Sequence, residues 1–359
     1  MQPRPINNGL LTHSKMLNTR FQESSLIIYN SGFTCTVARG RDCLTGNEVA
    51  IKLVQKKKLV SDAEIERARC ELKHHSKLRN VNIVPLIACE ETQDGFLTVT
   101  PYASDGDLHE LTHCTTLTEE AARNCISQIA AAITYMHDEE RLVHGDIKPH
   151  NMLLRKINGK YMIQLCDFGF TEDLRPATND VLFTQLRGTS GYFAPEQLLG
   201  RSYDGKVDVF AMGVIAFTLI GGYEPFYPPD NMVEAVEFEP RYWRDISDEA
   251  KDFLTRCLSI DPQQRMTAKE ALNHPWITMN IPSAPARGDS LDETMTPPPD
   301  SSIEFWNVKD IIKKDSEASI AETMAGGRVL KNEGFVPTIN HRTVLLTCGD
   351  GAAGPRNGS

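Results

Sequence analysis

The chain has 359 residues, of which 40% are hydrophobic and 24% are charged, a composition typical of globular proteins. Its formal net charge of −10 disfavours nonspecific binding to nucleic acid or to anionic membrane surfaces. No run approaches the roughly 18 apolar residues that a transmembrane helix needs, and the nine cysteines include no CxxC pair of the kind that binds zinc. Since the first residues show no secretion signal, we expect reduced thiols and a cytoplasmic location, with the nucleus as the alternative.

The first part of the chain predicts a small β-rich unit with one helix. Residues 1–22 show no regular pattern and are predicted to be irregular. Between residues 25 and 54, three strand patterns alternate with turn residues: SLIIY, FTCTVARG and EVAIKLV. Residues 62–79 are mostly strong helix formers with an apolar face. Two further strand-like runs follow, NIVPLIACEE at 82–91 and GFLTVTPY at 95–102.

The middle of the chain has a helical character. The run TEEAARNCISQIAAAITYMHDE, residues 118–139, predicts a long helix that Thr118 caps. The almost wholly apolar run at 206–222 is too short and too interrupted for a membrane span and predicts a buried core helix. DEAKDFLTRCLSI and AKEALNHPWI predict amphipathic helices. With the β-rich unit before it, this order predicts an α+β protein of two lobes.

Beyond Trp276 the composition changes. IPSAPARGDSLDETMTPPPDSS is rich in Pro, Ser and Thr, which is typical of a flexible linker. The run IEFWNVKDIIKK at 303–314 predicts a short amphipathic helix, and our hypothesis is that Trp306 and Ile311 dock it on the large lobe and restrain activity. An appendage that binds a partner or is disordered is the alternative. The predicted divisions are an irregular segment (1–22), a folded domain (23–278) with a small lobe (23–100), a hinge (101–106) and a large lobe (107–278), and a flexible, regulatory tail (279–359).

Four separated motifs carry the chemistry. VAIK, ending at Lys52, lies on a predicted strand, and HGDIKPHN, from His144 to Asn151, follows the long helix. CDFG follows the strand-like YMIQL, and APE closes a polar segment. In this order and these contexts they closely resemble the signature motifs of eukaryotic protein kinases, over about residues 25–278. The resemblance implies a two-lobed kinase fold with ATP bound between the lobes.

Phosphoryl transfer depends mainly on positioning and on neutralising charge. The resemblance assigns Lys52 to the α- and β-phosphates of ATP and Glu71 to holding that lysine. Glu64 and Glu66 are alternatives to Glu71, because they share its helix. Asp146 is implied to accept the proton of the substrate hydroxyl.

Lys148 is implied to neutralise the γ-phosphate, and a lysine at this position marks Ser/Thr kinases within the family. Thr189, in GTSGYFAPE, fits the same class. Asn151 and Asp167 offer the hard oxygen ligands that Mg²⁺ prefers. A polar turn without function would not explain why Asp, Lys and Asn all fall at the family spacing.

The resemblance also implies contacts around the base and ribose of ATP. The residues at these positions are Val37, Ala50, Thr100, Tyr102, Ala103, Asp107 and Leu153. The loop that covers the phosphates departs from the family pattern GxGxxGxV, since NSGFTCTV at 30–37 keeps only Gly32. Cys35 adds bulk and a thiol there, so weaker ATP binding and a plain packing role are both open.

Three other residues are implied to support the site. Asp208 resembles the aspartate that anchors the catalytic loop, and Glu196 and Arg265 resemble a buried ion pair of the large lobe. Gly145 departs from the family, which has an arginine there that pairs with a phosphate on the activation segment. We therefore predict that activation-segment phosphorylation is not required, with Arg187 as the alternative cation.

The expected function is an ATP- and Mg²⁺-dependent Ser/Thr protein kinase. EFEPRYWRDISDEAKDFL and DPQQRMTAKEALNHPWI resemble the calcium/calmodulin-dependent kinase group, and the tail faintly resembles MAP kinase-activated protein kinases. The alternatives are a pseudokinase scaffold, which Gly145 and the glycine loop favour, and a small-molecule kinase, which GTSGYFAPE disfavours. The expected partners are protein substrates that are moderately basic at most, because His150 stands where basophilic relatives have glutamate. Calmodulin is a less expected partner, because 303–314 lacks a basic cluster.

Overall fold

The computed structural model describes most of the chain between residues 35 and 278, together with short segments at either end. The described residues are 4–5, 14, 19–21, 27–31, 35–113, 115–174, 186–226, 235–278 and 300–311.

The small lobe is a six-stranded antiparallel sheet with the strand order β1-β2-β3-β4-β6-β5, accompanied by helix α1. Its elements are β1 (Arg4–Pro5), β2 (Ile27–Ser31), β3 (Cys35–Arg41), β4 (Glu48–Gln55), α1 (Asp62–Lys77), β5 (Ala88–Glu91) and β6 (Gly95–Pro101).

Strand β4 shows how the sequence orients this sheet. Its side chains alternate between buried and half-buried positions, as the period of two requires. Val49 and Ile51 face a core that also contains Phe21 and Leu97. Lys52 therefore projects from the opposite face of the sheet.

Helix α1 begins where the sequence provides a cap. Ser61 has an extended backbone, and its hydroxyl accepts a hydrogen bond from the Glu64 backbone N–H at 3.3 Å. The negative charge of Asp62 in the first turn stabilises the helix by interacting with the positive end of its dipole. The helix ends at Lys77, within two residues of the predicted end.

The large lobe is mostly helical, with a β-hairpin (β8 and β9) and a short two-stranded pairing of β7 with β10. Its elements are α2 (Leu108–Thr112), α3 (Glu119–Thr134), β7 (Leu142–Val143), β8 (Met152–Ile157), β9 (Lys160–Leu165), β10 (Glu172–Asp173), α4 (Pro195–Leu198), α5 (Lys206–Gly221), α6 (Pro240–Trp243), α7 (Asp248–Cys257), α8 (Ala268–Leu272) and α9 (Pro275–Thr278).

The apolar run predicted to be a core helix is α5, and nearly all of its side chains are buried. It packs against α3, which Thr118 caps as predicted by accepting a hydrogen bond from the Ala121 N–H. Among the described residues, no helix combines the length and the hydropathy needed to cross a bilayer.

Two predicted elements are shorter than the sequence pattern indicates. The strand predicted over 82–91 is confined to Ala88–Glu91. Pro85 lacks an N–H for a sheet ladder, and the backbone around Asn82 is bonded instead to Leu165 of the large lobe. The helix predicted over 118–139 ends at Thr134 and continues as one turn of π-helix, Tyr135–Glu139.

The N-terminal segment is more ordered than residues 1–22 are predicted to be. Arg4–Pro5 pairs with the start of β2, and Phe21 is fully buried in the core of the small lobe. Arg20 binds the buried Asp42 through two hydrogen bonds. Part of this segment is therefore an integral component of the small lobe.

The tail agrees with its prediction in part. Residues 300–311 lie against the large lobe, in agreement with the hypothesis that Trp306 and Ile311 dock there, whereas the division 279–359 as a whole is predicted to be flexible. The predicted helix over 303–314 is not formed from its start, because residues 303–307 are not helical and the helical backbone begins only at residue 308. The main chain of Glu304 and Trp306 is hydrogen-bonded to Tyr161 of the hairpin, so that Phe305 forms a β-bridge with Tyr161 instead of joining a helix.

Candidate active site

Lys52 joins strand β4 to helix α1 and to the CDFG motif. Its ammonium lies 2.8 Å from Glu71 Oε1 and 2.7 Å from Asp167 Oδ1. Glu64 instead accepts the Val60 N–H, and Glu66 pairs with Arg69, so Glu71 is the helix carboxylate that contacts Lys52. The position of Glu71 confirms the predicted pairing.

The charges of this trio stabilise one another. Burial lowers the pKa of Lys52, but the charges of Glu71 and Asp167 outweigh it and raise the pKa above its usual value. Burial likewise raises the pKa of Asp167, and the charge and hydrogen bond of Lys52 outweigh it, so that the pKa is lowered. One permanent cation therefore lies between two carboxylates.

Asp146 forms a closed arrangement with Lys148 and Thr189. The Thr189 hydroxyl donates to Asp146 Oδ1 at 2.7 Å and accepts from the Lys148 ammonium at 2.7 Å. The same ammonium lies 2.7 Å from Asp146 Oδ2. The carboxylate is thus placed beside a hydroxyl, which is the group that a Ser/Thr substrate would present to a catalytic base.

Asn151 and Asp167 fit the predicted magnesium site. The Asn151 amide nitrogen donates to the Asp146 carbonyl at 2.8 Å and to Asp146 Oδ2 at 3.1 Å, which commits the nitrogen and leaves the amide oxygen for a hard cation. The Cys166 N–H donates to the Asn151 carbonyl at 2.9 Å, which brings Asp167 close. The described residues contain no cluster of three His, Cys, Asp or Glu that could hold a metal by themselves. A Mg²⁺ here would take its other ligands from phosphate and water.

Asp208 anchors the backbone of the catalytic loop, which runs from His144 to Asn151. Its carboxylate accepts the His144 N–H at 2.8 Å and the Gly145 N–H at 2.9 Å, and it lies 2.8 Å from His137 Nε2. Burial raises the pKa of Asp208, but the bond to His137 and the neighbouring charges outweigh it, so that the pKa is lowered. The carboxylate therefore stays ionised and fixes the loop backbone.

Gly145 has a backbone conformation that suits glycine. Its φ is +78°, and a Cβ atom there would lie 2.9 Å from the Phe170 carbonyl oxygen. Gly188 approaches from the other side, because a Cβ on it would lie 2.8 Å from the Gly145 carbonyl oxygen. The catalytic loop and the end of the activation segment are therefore packed backbone to backbone.

The residues predicted to surround ATP lie on one face of the small-lobe sheet and at its junction with the large lobe. Val37 is the cross-strand partner of Lys52, and Ala50 is the partner of Thr100. Directly paired residues share a face of the sheet, so these four side chains lie together. Gly32 lies outside the described residues.

The hinge and the large lobe supply the other predicted contacts. Tyr102 and Ala103 are half-buried, and the Tyr102 N–H donates to the Glu48 carbonyl at 3.2 Å. Asp107 and Leu153 are bridged by their backbones. Asp107 is also the N-cap of α2, because its carboxylate accepts the Glu110 N–H at 2.9 Å. Its carboxylate is thus already partly engaged.

Residues 30–277 match the family model described as protein kinase domain, which accounts for more than half of the chain. The chain belongs to the protein kinase family. The calcium/calmodulin-dependent protein kinase cmkA of Emericella nidulans is 34% identical to it over 254 residues, which are 68% of this chain and 59% of that protein. The calcium/calmodulin-dependent protein kinase type 1 of Caenorhabditis elegans is 37% identical over 245 residues, 66% of this chain and 68% of that one.

A third relative is the calcium/calmodulin-dependent protein kinase type 1 of Macrobrachium nipponense, which is 33% identical over 255 residues, 69% of this chain and 72% of that protein. These relatives place the kinase among the Ser/Thr kinases of the calcium/calmodulin-dependent group. The chain spans somewhat less than two thirds of the fungal relative's length.

The activation segment of the kinase, which runs from Asp167 to Glu196, is bridged by an internal ion pair. Arg187 pairs with Glu172, and both side chains are about a quarter exposed. Glu172 belongs to β10, which pairs with β7 just before the catalytic loop. Arg187 is therefore engaged by a carboxylate of the chain itself. Thr178 and Thr184, two threonines of this segment at which phosphorylation is possible, lie outside the described residues.

His75 is a residue of the site that the motifs do not indicate. It lies on α1, one turn after Glu71, and its ring centroid is 4.7 Å from that of Phe168 in the CDFG motif. Its Nε2 donates to the Val84 carbonyl at 2.9 Å, and burial lowers the pKa to about 4, so the imidazole is neutral. The sequence feature that could have identified His75 is its position, as a histidine, on the apolar face of a predicted helix.

The predicted ion pair between Glu196 and Arg265 is present and buried. Two hydrogen bonds join the side chains at 2.6 and 2.9 Å, and Arg265 also donates to the Ser259 carbonyl. Arg265→Ala would leave the Glu196 carboxylate buried and unpaired. We expect this change to lower the free energy of unfolding by about 3–5 kcal/mol, measured by urea denaturation.

The matched control is Arg256→Ala, because Arg256 pairs with Asp252 on the exposed side of α7. This exposed pair should contribute less than about 1 kcal/mol. Equal losses in the two variants would contradict a structural role for the buried pair.

Proposed function

We propose that the kinase transfers the γ-phosphoryl group of ATP to Ser and Thr hydroxyls with the help of Mg²⁺, and that its activation segment takes its working form without phosphorylation. The observation that carries the proposal is the ion pair between Glu172 and Arg187, together with the closed arrangement of Asp146, Lys148 and Thr189. The ion pair joins the two sides of the activation segment, and the arrangement around Asp146 orders the site beside that segment.

The side chains present support a working enzyme over a scaffold. Lys52 is already paired with Glu71 and lies near Asp167, which is the arrangement that phosphate binding requires. Asp146 is placed to accept a hydroxyl proton, and Lys148 offers a positive charge beside it. Mg²⁺, held by Asn151 and Asp167, supplies charge neutralisation of the phosphates when bound.

Independence from phosphorylation is supported by the contacts that hold the catalytic loop although Gly145 stands where the family has an arginine. Two hydrogen bonds from the loop backbone to Asp208 hold the loop without an arginine, and the close approach of Gly188 fixes the segment against it. Glu172 provides Arg187 with a negative partner that is present at all times. A phosphate on the activation segment would therefore have to compete with Glu172 for Arg187, instead of binding an arginine that has no anionic partner.

We propose only a moderate preference for basic substrates. His150 replaces the acidic residue of basophilic relatives, and its ring stacks on His109 with the centroids 4.0 Å apart. Asp107 uses part of its carboxylate to cap α2. His150 has no carboxylate, and the carboxylate of Asp107 is partly engaged, so neither residue would bind a substrate arginine strongly. Calmodulin, which the names of the relatives mention, is a partner that a pull-down with and without Ca²⁺ would test.

Phosphatase-treated protein should keep most of its transferase activity toward a generic peptide, and Thr184→Ala should behave like the parent. Glu172→Gln should lower the rate by about tenfold or more, because a charge-assisted hydrogen bond of roughly 1.5–3 kcal/mol is weakened. A radiolabelled-ATP assay measures all three. Glu249→Gln, at an exposed position of α7, is the control.

A tenfold or larger fall after dephosphorylation would contradict independence from phosphorylation. An unchanged rate in Glu172→Gln would contradict the role of the ion pair between Glu172 and Arg187 in holding the segment. Absence of transfer in every preparation of the parent, with nucleotide still bound, would instead favour a pseudokinase scaffold.

A further inference from the structure

The tail segment 300–311 is seated in the large lobe by apolar side chains. Phe305 is almost completely buried, and its ring centroid lies 5.7 Å from that of Tyr161 on the hairpin. Ile303, Val308 and Ile311 are each less than a tenth exposed. Burial of four large apolar side chains in twelve residues is the pattern of a docked segment.

Main-chain hydrogen bonds fix the register of the docked segment. The Tyr161 N–H donates to the Glu304 carbonyl at 2.8 Å, and the Trp306 N–H donates to the Tyr161 carbonyl at 3.0 Å. The Trp306 indole N–H reaches the Ile157 carbonyl at 3.1 Å. The segment thus continues the hairpin of β8 and β9 by a short parallel bridge.

Gln128 of helix α3 connects this segment to the loop between α1 and β5. Its amide nitrogen donates to the Trp306 carbonyl at 2.8 Å. Its amide oxygen accepts from the Asn82 side chain at 3.0 Å and from the Ile163 N–H at 2.8 Å. Gln128 is fully buried, so each of these bonds satisfies a group that would otherwise be costly to bury.

The loop 80–86, which contains Asn82, contacts both the strand before the CDFG motif and helix α1. The Leu165 N–H donates to the Asn82 carbonyl at 2.8 Å, and the Val84 N–H donates to the Leu165 carbonyl at 2.9 Å. The Val84 carbonyl accepts from His75 at 2.9 Å, and the His75 ring packs on Phe168. Contacts therefore run without a gap from the tail to the helix that carries Glu71.

We propose that the docked segment 300–311 is a positioning element that favours catalysis by holding the loop 80–86, and with it helix α1, where Glu71 pairs with Lys52. This inference rests on the proposed function for its kinetic consequence. It reverses, for the described residues 300–311, the restraining role that the sequence suggests for the run 303–314. The segment lies against α3 and the hairpin, whereas a restraining element would lie across the substrate side of Asp146 and Thr189.

The variant Phe305→Ala in the full chain tests the inference by removing the central anchor. We expect kcat/KM to fall by about two- to thirtyfold, the range that coupling between distant sites gives. Hydrogen–deuterium exchange should become faster in α1 and in 80–86, while α5 keeps the exchange of the parent. A segment that only stabilised its own surroundings would leave the exchange of α1 unchanged.

Val308→Ala is a second variant that makes a smaller cavity, and Asp310→Asn is the exposed control. Faster exchange in α5 would show that Phe305→Ala destabilises the whole large lobe. In that case the exchange of α1 is compared between the parent and Val308→Ala instead. Parent-like exchange of α1 in the variant that preserves α5, or a rise in kcat/KM, overturns the inference.

The route through Gln128 has its own test. In a Gln128→Leu background, Phe305→Ala should accelerate the exchange of α1 less than it does in the parent background, since the contact that transmits the change is already lost. Equal acceleration in both backgrounds overturns the route. Exchange needs no catalysis, so an inactive parent would contradict the proposed function while the coupling between tail and α1 is still measured.

Discussion

Asp146→Asn should lower the rate of phosphoryl transfer by at least about a hundredfold, the lower range for loss of a positioned general base. The change replaces an acceptor oxygen by an amide nitrogen beside Lys148 and Thr189, both of which lie 2.7 Å from the carboxylate. An asparagine cannot take up a proton from the substrate hydroxyl. Because the change affects the acceptor side of the site, nucleotide affinity should stay close to that of the parent.

Two measurements separate these expectations. A radiolabelled-ATP assay gives the transfer rate, and titration with a fluorescent ATP analogue in the presence of Mg²⁺ gives nucleotide affinity. Asp245→Asn, at an exposed position of the large lobe, makes the same chemical change and should leave both unchanged. A variant at Asp146 that retained more than about a tenth of the parent rate would be incompatible with the role of base.

The pairing of Lys52 with Glu71 could be predicted from the resemblance of the motifs to those of protein kinases, and local patterns explain how the fold achieves it. The period of two along β4 buries Val49 and Ile51 and turns Lys52 to the other face. The helix pattern of α1 and its Ser61 cap place Glu71 at a definite height along the helix. The resemblance favours Glu71, and the structure excludes the alternatives Glu64 and Glu66 as partners of Lys52.

The tail and the N-terminus could not be predicted in the same way. Residues 303–307 belong to a run with an amphipathic helix pattern, but they are not helical, because Tyr161, more than a hundred residues earlier, offers main-chain partners. Phe21 is a single aromatic in a segment without a period, and its burial depends on the sheet that forms after it. Long-range contacts of this kind override local propensity.

Gln128 shows where a sequence signal exists but is incomplete. It stands in the run CISQIAAAI, where every neighbour suggests a buried helix. A buried amide must find partners, so the residue indicates a connection between elements. The sequence does not identify Asn82 and Trp306 as those partners.

Lys52→Met should lower kcat/KM for ATP by about 10²–10³-fold, the loss that follows removal of one preorganised electrostatic contact. The methionine keeps the length of the side chain but removes the cation between Glu71 and Asp167. Lys52→Arg should not restore the rate, because a planar guanidinium cannot replace a compact ammonium at this position. Lys57→Met, at an exposed position just after β4, is the matched control and should behave like the parent.

The combination of Lys52→Met with Glu71→Gln decides whether Glu71 acts through Lys52. Glu71→Gln alone removes the charge that orients the ammonium at 2.8 Å and should lower kcat/KM less than Lys52→Met does. If the carboxylate serves only to hold the lysine, it has no function left once the lysine is gone, and the double variant should be no slower than Lys52→Met. A loss equal to the product of the two single losses would show instead that Glu71 contributes to catalysis independently of Lys52.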